Sequence, residues 1–325
     1  MMKGRMFFLL LCAIVVLVGA PLLGSDGLEG IRRLFEGRAV ESFIVWQIRI
    51  PRVVVAFLCG AGLALGGVSF QGMFRNPLAT PYTLGVSSGA AFGAALALRL
   101  GLGSLFAGVL PAGALLGAFL AVGIVWLTAR LRPDFSPMVL LLAGVAMTFF
   151  FSSLILLIQY SSGLTDSFRL MRWLMGGMAG ASWSDVFWLL PFLLSGALIL
   201  ILKTRDLDLL SISAEIAAGR GVDVARSRQA IFLGSSLIVG GVVAVCGPIG
   251  FVGMMAPHIC RILVGGRHAV LVPVSMLFGA FFLVGCDTLA RLIFFPLELP
   301  VGIITAFLGG PFFLWLLIRR TRTSA

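Results

Sequence analysis

The sequence predicts an all-α polytopic membrane protein with about ten transmembrane helices and both termini inside (N-in/C-in). Three observations carry that prediction. Of the 325 residues, 60% are hydrophobic and 11% charged, whereas a soluble domain holds about a quarter charged residues. Mean hydropathy is accordingly +1.11. The charges delimit nine uncharged blocks, most of them near the ~20 residues that cross a bilayer core. Laid out on alternating sides, the loops that share a side with the N-terminus hold 15 basic residues against five acids, and the opposite loops hold nine against eight. Basic residues concentrate on the cytoplasmic side of membrane proteins, so the N-terminus belongs inside.

The blocks follow in order. Residues 6–25, after Lys3 and Arg5, read as a first span; a cleavable signal ending in Val-Gly-Ala is the alternative. Residues 25–52 read as a periplasmic loop of mixed charge. Blocks 53–74 and 76–98 are divided by Arg75 alone, and blocks 100–129 and 135–165 flank Arg130, Arg132 and Asp134. Block 186–202 ends at Lys203. Block 229–260 would be about 48 Å long as one helix, too long for one crossing of a ~30 Å core. Gly247-Pro248 and Gly250 break it near the middle, which predicts two short helices and brings the spans to ten. Blocks 268–286 and 299–318 complete the set. Between spans, residues 204–228 read as an inner helix–turn–helix, 214–218 then Gly219-Arg220-Gly221 then 222–228. Gly66-Gly67-Val68 and Gly240-Gly241-Val242 echo one another, a match too short to establish a repeat.

Several function classes are excluded or disfavoured. The 24 basic residues are 22 Arg and two Lys, scattered singly or in pairs; loop anchors look like this, and a nucleic-acid-binding stripe does not. No GxxxxGK[ST] loop is present to cradle a nucleotide. His258 and His268 have no carboxylate cluster beside them in sequence and read as structural. A proton-coupled carrier would keep a mid-membrane acid, and its nearest candidates, Asp287 and Glu298, fall at outer span ends. Cys12, Cys59, Cys246, Cys260 and Cys286 form no CxxC and read as packing residues, with neither disulfide nor metal expected. No cofactor is expected in this chain, and no nucleophile–base pair marks it as an enzyme.

Several segments carry a family resemblance when taken in order. Arg49-Ile-Pro-Arg52 opens a Gly-rich helix ending Gln71-Gly-Met-Phe-Arg-Asn-Pro-Leu-Ala79, and Leu84-Gly-Val-Ser-Ser-Gly-Ala90 follows. Then come Leu140-Leu-Leu-Ala-Gly144, Arg172-Trp-Leu-Met-Gly-Gly177, Gly247-Pro-Ile-Gly-Phe-Val-Gly253, Ala256-Pro-His258, Glu298-Leu-Pro-Val-Gly302 and Gly309-Gly-Pro-Phe-Phe-Leu-Trp315. Over about residues 45–318 this set resembles the permease subunits of bacterial ABC importers for iron chelates (siderophores, haem) and vitamin B12. The resemblance implies a type II importer permease: one transmembrane domain over residues 1–325, a homodimer, two cytosolic ATPase subunits and a periplasmic binding protein in the inner membrane system. An iron(III) chelate is the favoured cargo and cobalamin the alternative; a proton-coupled secondary carrier ranks well below both.

The same resemblance assigns roles. Arg49, Arg52 and Arg291 match arginines that face acids on the binding protein. Asn76 and Leu78 match one part of the cytoplasmic gate, and Ser136, Pro137 and Met138 the other, although Pro137 and Met138 replace the family's small polar residues. Ser213, Ala214, Glu215, Ile216, Ala217, Ala218, Gly219, Arg220 and Gly221 match the coupling helices that enter a cleft of the ATPase.

Overall fold

The structure, a computed structural model, describes residues 2–22, 39–102, 108–131, 135–294 and 297–323. Its regular elements are helices: α1 (Met2–Leu22), α2 (Ala39–Ile44), α3 (Ile50–Phe74), α4 (Val86–Arg99), α5 (Val109–Arg130), α6 (Pro137–Ser161), α7 (Leu164–Leu174), α8 (Trp183–Leu202), α9 (Thr204–Leu210), α10 (Ala214–Gly219), α11 (Val224–Cys246), α12 (Val252–Val264), α13 (His268–Leu292) and α14 (Val301–Thr323). Six helical stretches among the described residues are long and apolar enough to cross a membrane: Ser42–Phe74, Val109–Arg130, Pro137–Ser161, Trp183–Leu202, Val224–Cys246 and His268–Leu292. Shorter apolar helices lie in Leu9–Leu22, Val252–Val264 and Val301–Leu316.

The bundle is organised on α3, whose side chains are almost all buried. It packs on α13 most extensively, and also on α11, α12 and α8. Glycine makes those contacts close. A Cβ on Gly67 would fall inside the backbone of Gly253 on α12, and one on Gly60 inside that of Gly279 on α13. Helices α4 and α5 meet in the same way, Gly89 against Gly117 and Gly93 against Gly113. Helices gain no hydrophobic drive toward one another in lipid, so such backbone approach is what brings enough van der Waals contact to hold them.

Three expectations need correction. The presumed loop over 25–52 is helical from Ala39 onward, α2 leading through a π-turn (Val45–Arg49) directly into α3; residues 23–38 lie outside the described set. Pro51 has no N–H and its ring would clash in an unbroken α ladder, and the wider turn just before it relieves both problems. Block 76–98 is helical only from Val86: Pro77 and Pro81 lead instead to a 3₁₀ turn at Pro81–Leu84. The break at 247–250 is present, but it does not leave two short halves. Helix α11 takes in residues 224–228, capped by Asp223, whose Oδ1 accepts the Arg226 N–H at 3.0 Å, and so reaches a full 23 residues. Between the uncharged blocks the structure adds α7, an amphipathic helix with Asp166, Arg169 and Arg172 among its 11 residues.

Candidate functional sites at the two ends of the bundle

At one end, α3 begins against the last turns of α13. Arg52 is 8% exposed and Asp287 2%. Arg52 Nε donates to both carboxylate oxygens of Asp287 at 3.0 and 3.1 Å, and Nη2 adds a third bond at 2.9 Å. Nη1 donates to Glu298 Oε2, also at 2.9 Å. Arg291 approaches the same Asp287, its Nε 3.4 Å from Oδ2, while its Nη2 donates to the Ala20 carbonyl and the Thr288 hydroxyl. The result is one buried carboxylate shared by two guanidiniums, tying α1, α3, α13 and the entry to α14 together. Bidentate pairing fixes direction as well as distance, so the cluster acts as a brace at this end. Arg49 is half-buried on the π-turn.

The family resemblance assigns all three arginines to acids on a binding protein. The structure turns Arg52 and Arg291 onto Asp287 and leaves Arg49 outside that cluster. A signal for this was present: Asp287 and Arg291 are i,i+4 neighbours on one helix face. Beside the cluster lies a cavity of about 430 Å³, whose lining includes Arg52, Arg172, Trp173, Asp185, Cys246 and Glu298. The lining reaches the last turn of α11 at Ala244–Cys246, and just beyond it, at the helix break, the Ile249 N–H donates to the Tyr82 hydroxyl at 2.9 Å. Two irregular segments thus satisfy one another deep in the bundle, as non-helical backbone at membrane depth must.

The other end carries the remaining assigned residues. Helix α3 stops at Arg75, which is left-handed (φ 51°), and Asn76 Oδ1 accepts the Leu78 N–H at 2.9 Å. Asn76 and Leu78 are exposed. Across this end Ser136 precedes α6, Pro137 occupies its first turn, and Met138 is exposed. The buried Phe135 ring packs on Phe232 of α11, which anchors this second loop.

The segment from α9 to α10 is fastened by side chains. Asp206 Oδ2 accepts from Lys203 Nζ at 2.8 Å and from the Ser227 hydroxyl at 2.6 Å. Burial pushes the Asp206 carboxyl up, yet these two bonds outweigh it and hold the group below its ordinary value. Asp208 Oδ1 accepts the His268 backbone N–H and faces its ring Nδ1 at 2.7 Å, joining α9 to the start of α13. Ser213 caps α10, its hydroxyl accepting the Ile216 N–H at 3.0 Å. Gly221 is left-handed (φ 81°). Its N–H donates to the Ala218 carbonyl, and the Val222 N–H to that of Ala217, the paired bonds of a Schellman turn. Within this turn Ala217 is buried and Glu215, Ile216, Ala218, Gly219 and Arg220 face outward. Glu215 is held below the usual carboxylate range by its own backbone N–H and by Ser213, with Arg75 and Arg228 nearby. The segment is therefore a rigid knob on short, capped helices.

With this geometry in place, the family model described as the FecCD transport family matches residues 6–319. The chain belongs to the FecCD transport family. It is 40% identical to the vitamin B12 import system permease protein BtuC of Klebsiella pneumoniae, covering 86% of this chain and 84% of that relative. It is 35% identical to the hemin transport system permease protein HmuU of Yersinia pestis, covering 96% and 95%. A solved chain described as an inward-facing ABC transporter of metal-chelate type superposes with a TM-score of 0.87 at 33% identity, over 98% of this chain and 99% of that one. This FecCD-family chain is thus a multi-pass membrane permease of the ABC importer kind, as its sequence motifs implied.

Proposed function

We propose that this chain is the membrane-spanning permease subunit of an ATP-driven, binding-protein-dependent importer that moves an iron(III) chelate, a siderophore or haem, across the inner membrane. The observation that carries this reading is the FecCD match over residues 6–319, in a chain that has no nucleotide-binding loop of its own. Energy then enters through separate ATPase subunits, and the rigid knob at Ser213–Gly221 is the surface offered to them. Ten crossings are assigned to α1, α2 with α3, α4, α5, α6, α8, α11, α12, α13 and α14, with both ends of the chain inside. The excess of basic residues on that side supports the orientation.

Two copies of the chain, two ATPases and a periplasmic binding protein make up the assembly. Docking of the binding protein is assigned first to Arg49; Arg52 and Arg291 contribute by holding the rim in shape through Asp287. Asn76 and Leu78, with Ser136, Pro137 and Met138, form the inner gate. Cobalamin is the second cargo reading, favoured by the 40% identity to a vitamin B12 permease. The test is reconstitution into vesicles with the cognate ATPase and binding protein, followed by uptake of a ferric siderophore, haem and cobalamin. ATP-dependent uptake of an iron chelate is expected. Uptake driven by a proton gradient without the ATPase, or ATP hydrolysis by the isolated chain, would overturn the reading.

A further inference from the structure

Two of the five cysteines, far apart in sequence, meet in the core. Cys59 on α3 and Cys246 at the last turn of α11 place their sulfurs 3.3 Å apart, 187 positions separated along the chain. Both are buried, at 0% and 3% exposure. A disulfide needs 2.03–2.05 Å between sulfurs, so about 1.2 Å of sulfur travel closes the bond. The travel falls beside a helix end. Cys246 ends its helix, and the next four residues are non-helical, starting with Gly247 at φ 68°.

A small reagent has a route as well. Cys246 lines the cavity that Arg52, Arg172 and Glu298 also border, so its sulfur is approached from the polar end, with the fully buried Cys59 behind it. The other buried cysteines are placed differently: Cys260 donates to the Val274 carbonyl at 3.6 Å, and Cys286 adjoins Asp287 on α13.

We propose that Cys59 and Cys246 are a reversible dithiol–disulfide site whose closure clamps the 247–250 break onto α3. The reaction requires a two-electron thiol acceptor. With an azodicarboxamide such as diamide, one sulfur adds to the N=N bond and the second displaces it. One S–S bond forms, two S–H bonds are lost, and the azo group leaves as the hydrazine carrying both protons and both electrons. The clamp would act where α11, the cavity and the Tyr82 contact converge, since the Gly177 N–H also bonds the Cys246 carbonyl at 2.8 Å.

The test uses the full-length wild-type chain in detergent micelles. After diamide, denaturation and alkylation, peptide mass spectrometry should show Cys59 linked to Cys246, two mass units below the sum of the free peptides. Cys12, Cys260 and Cys286 should still be alkylated, and dithiothreitol should reverse the linkage. Cleavage by trypsin in the exposed 220–226 region should leave two fragments that run together without reductant and apart with it. Cys59→Ala should abolish the linkage while eluting like wild type. Hydrogen exchange at Ile249 and Gly250 should slow at least about tenfold on oxidation, because the clamp suppresses local opening. Both thiols remaining alkylatable in the oxidised sample, or linkage to other cysteines, overturns the site; unchanged exchange at the break overturns the clamp.

Discussion

Replacing Asp287 by Leu offers the sharpest test of the brace at the Arg52 end. Arg52 makes three contacts to Asp287 at 2.9–3.1 Å, with the two side chains 10% and 2% exposed. Removing one partner of a buried pair costs about 3–5 kcal/mol, chiefly because the surviving charge is left unpaired. The remaining Arg52–Glu298 contact compensates little: Glu298 is 42% exposed, and such pairs contribute about 0–1 kcal/mol. Asp287→Leu also strands Arg291 beside Arg52 with no carboxylate between them, which cancels even that. The loss should therefore fall near the full 3–5 kcal/mol. Arg52→Met should cost less, because Arg291 is already 3.4 Å from Asp287 and can close in. The double variant Arg52→Met with Asp287→Leu removes both charges of that pair, although Arg291 still lacks its carboxylate, and should recover about 1–2 kcal/mol relative to additivity. Unfolding in mixed dodecyl sulfate micelles, followed by circular dichroism, would supply the cycle. Singles within 1 kcal/mol of wild type, or a strictly additive double, would refute the brace and return both arginines to a surface role.

Gly67→Val should prevent folding or lower folded yield severely, since its first carbon already collides with the Gly253 backbone and overpacking costs about 1–3 kcal/mol or more; Gly66→Ala, with 3.3 Å to a flexible Pro81 ring edge, should be tolerated, by size-exclusion profile after heating. In the knob, Gly221→Val should weaken co-purification of the ATPase, since a left-handed residue with a Cβ costs about 1–2 kcal/mol, whereas Gly219→Ala, which meets nothing within 4 Å, should not. Glu215→Arg should lower ATPase association without affecting membrane insertion, measured by the same pull-down. Asp206 is held below its ordinary value, so its stabilising contribution is complete above the unfolded carboxylate pKa of about 4 and fades as pH falls through the lower folded value; Lys203→Met should flatten that acid loss, read by protease susceptibility at 203–228 between pH 5 and 2.5.

What the sequence disclosed and what it withheld divide along physical lines. Apolar blocks between charges locate spans because crossing lipid is a property of each segment alone. The turn at Gly219–Gly221 was legible for the same local reason, since a left-handed C′ glycine is written in one residue. Local rules fail where a partner distant in sequence decides. Arg52 looked like an outward charge at a helix start, and only the meeting of α3 with α13, 235 positions away, converts it into a buried brace. Residues 39–52 resemble a loop in sequence because charges signal solvent, although a helix that continues to the interface can carry them. Helix α11 absorbed 224–228 because Asp223 caps it, a signal that was available and outweighed by Arg226 and Arg228. Cys59 and Cys246 were each unremarkable as small apolar residues, and their contact is visible only once two helices are superposed by glycine-driven packing. In a membrane bundle the length of each helix is therefore written locally. The residues that can couple one end of the bundle to another are set by which helices pass within backbone distance, and here α3, holding Arg52, Cys59, Gly60 and Gly67 along one buried helix, is where those couplings collect.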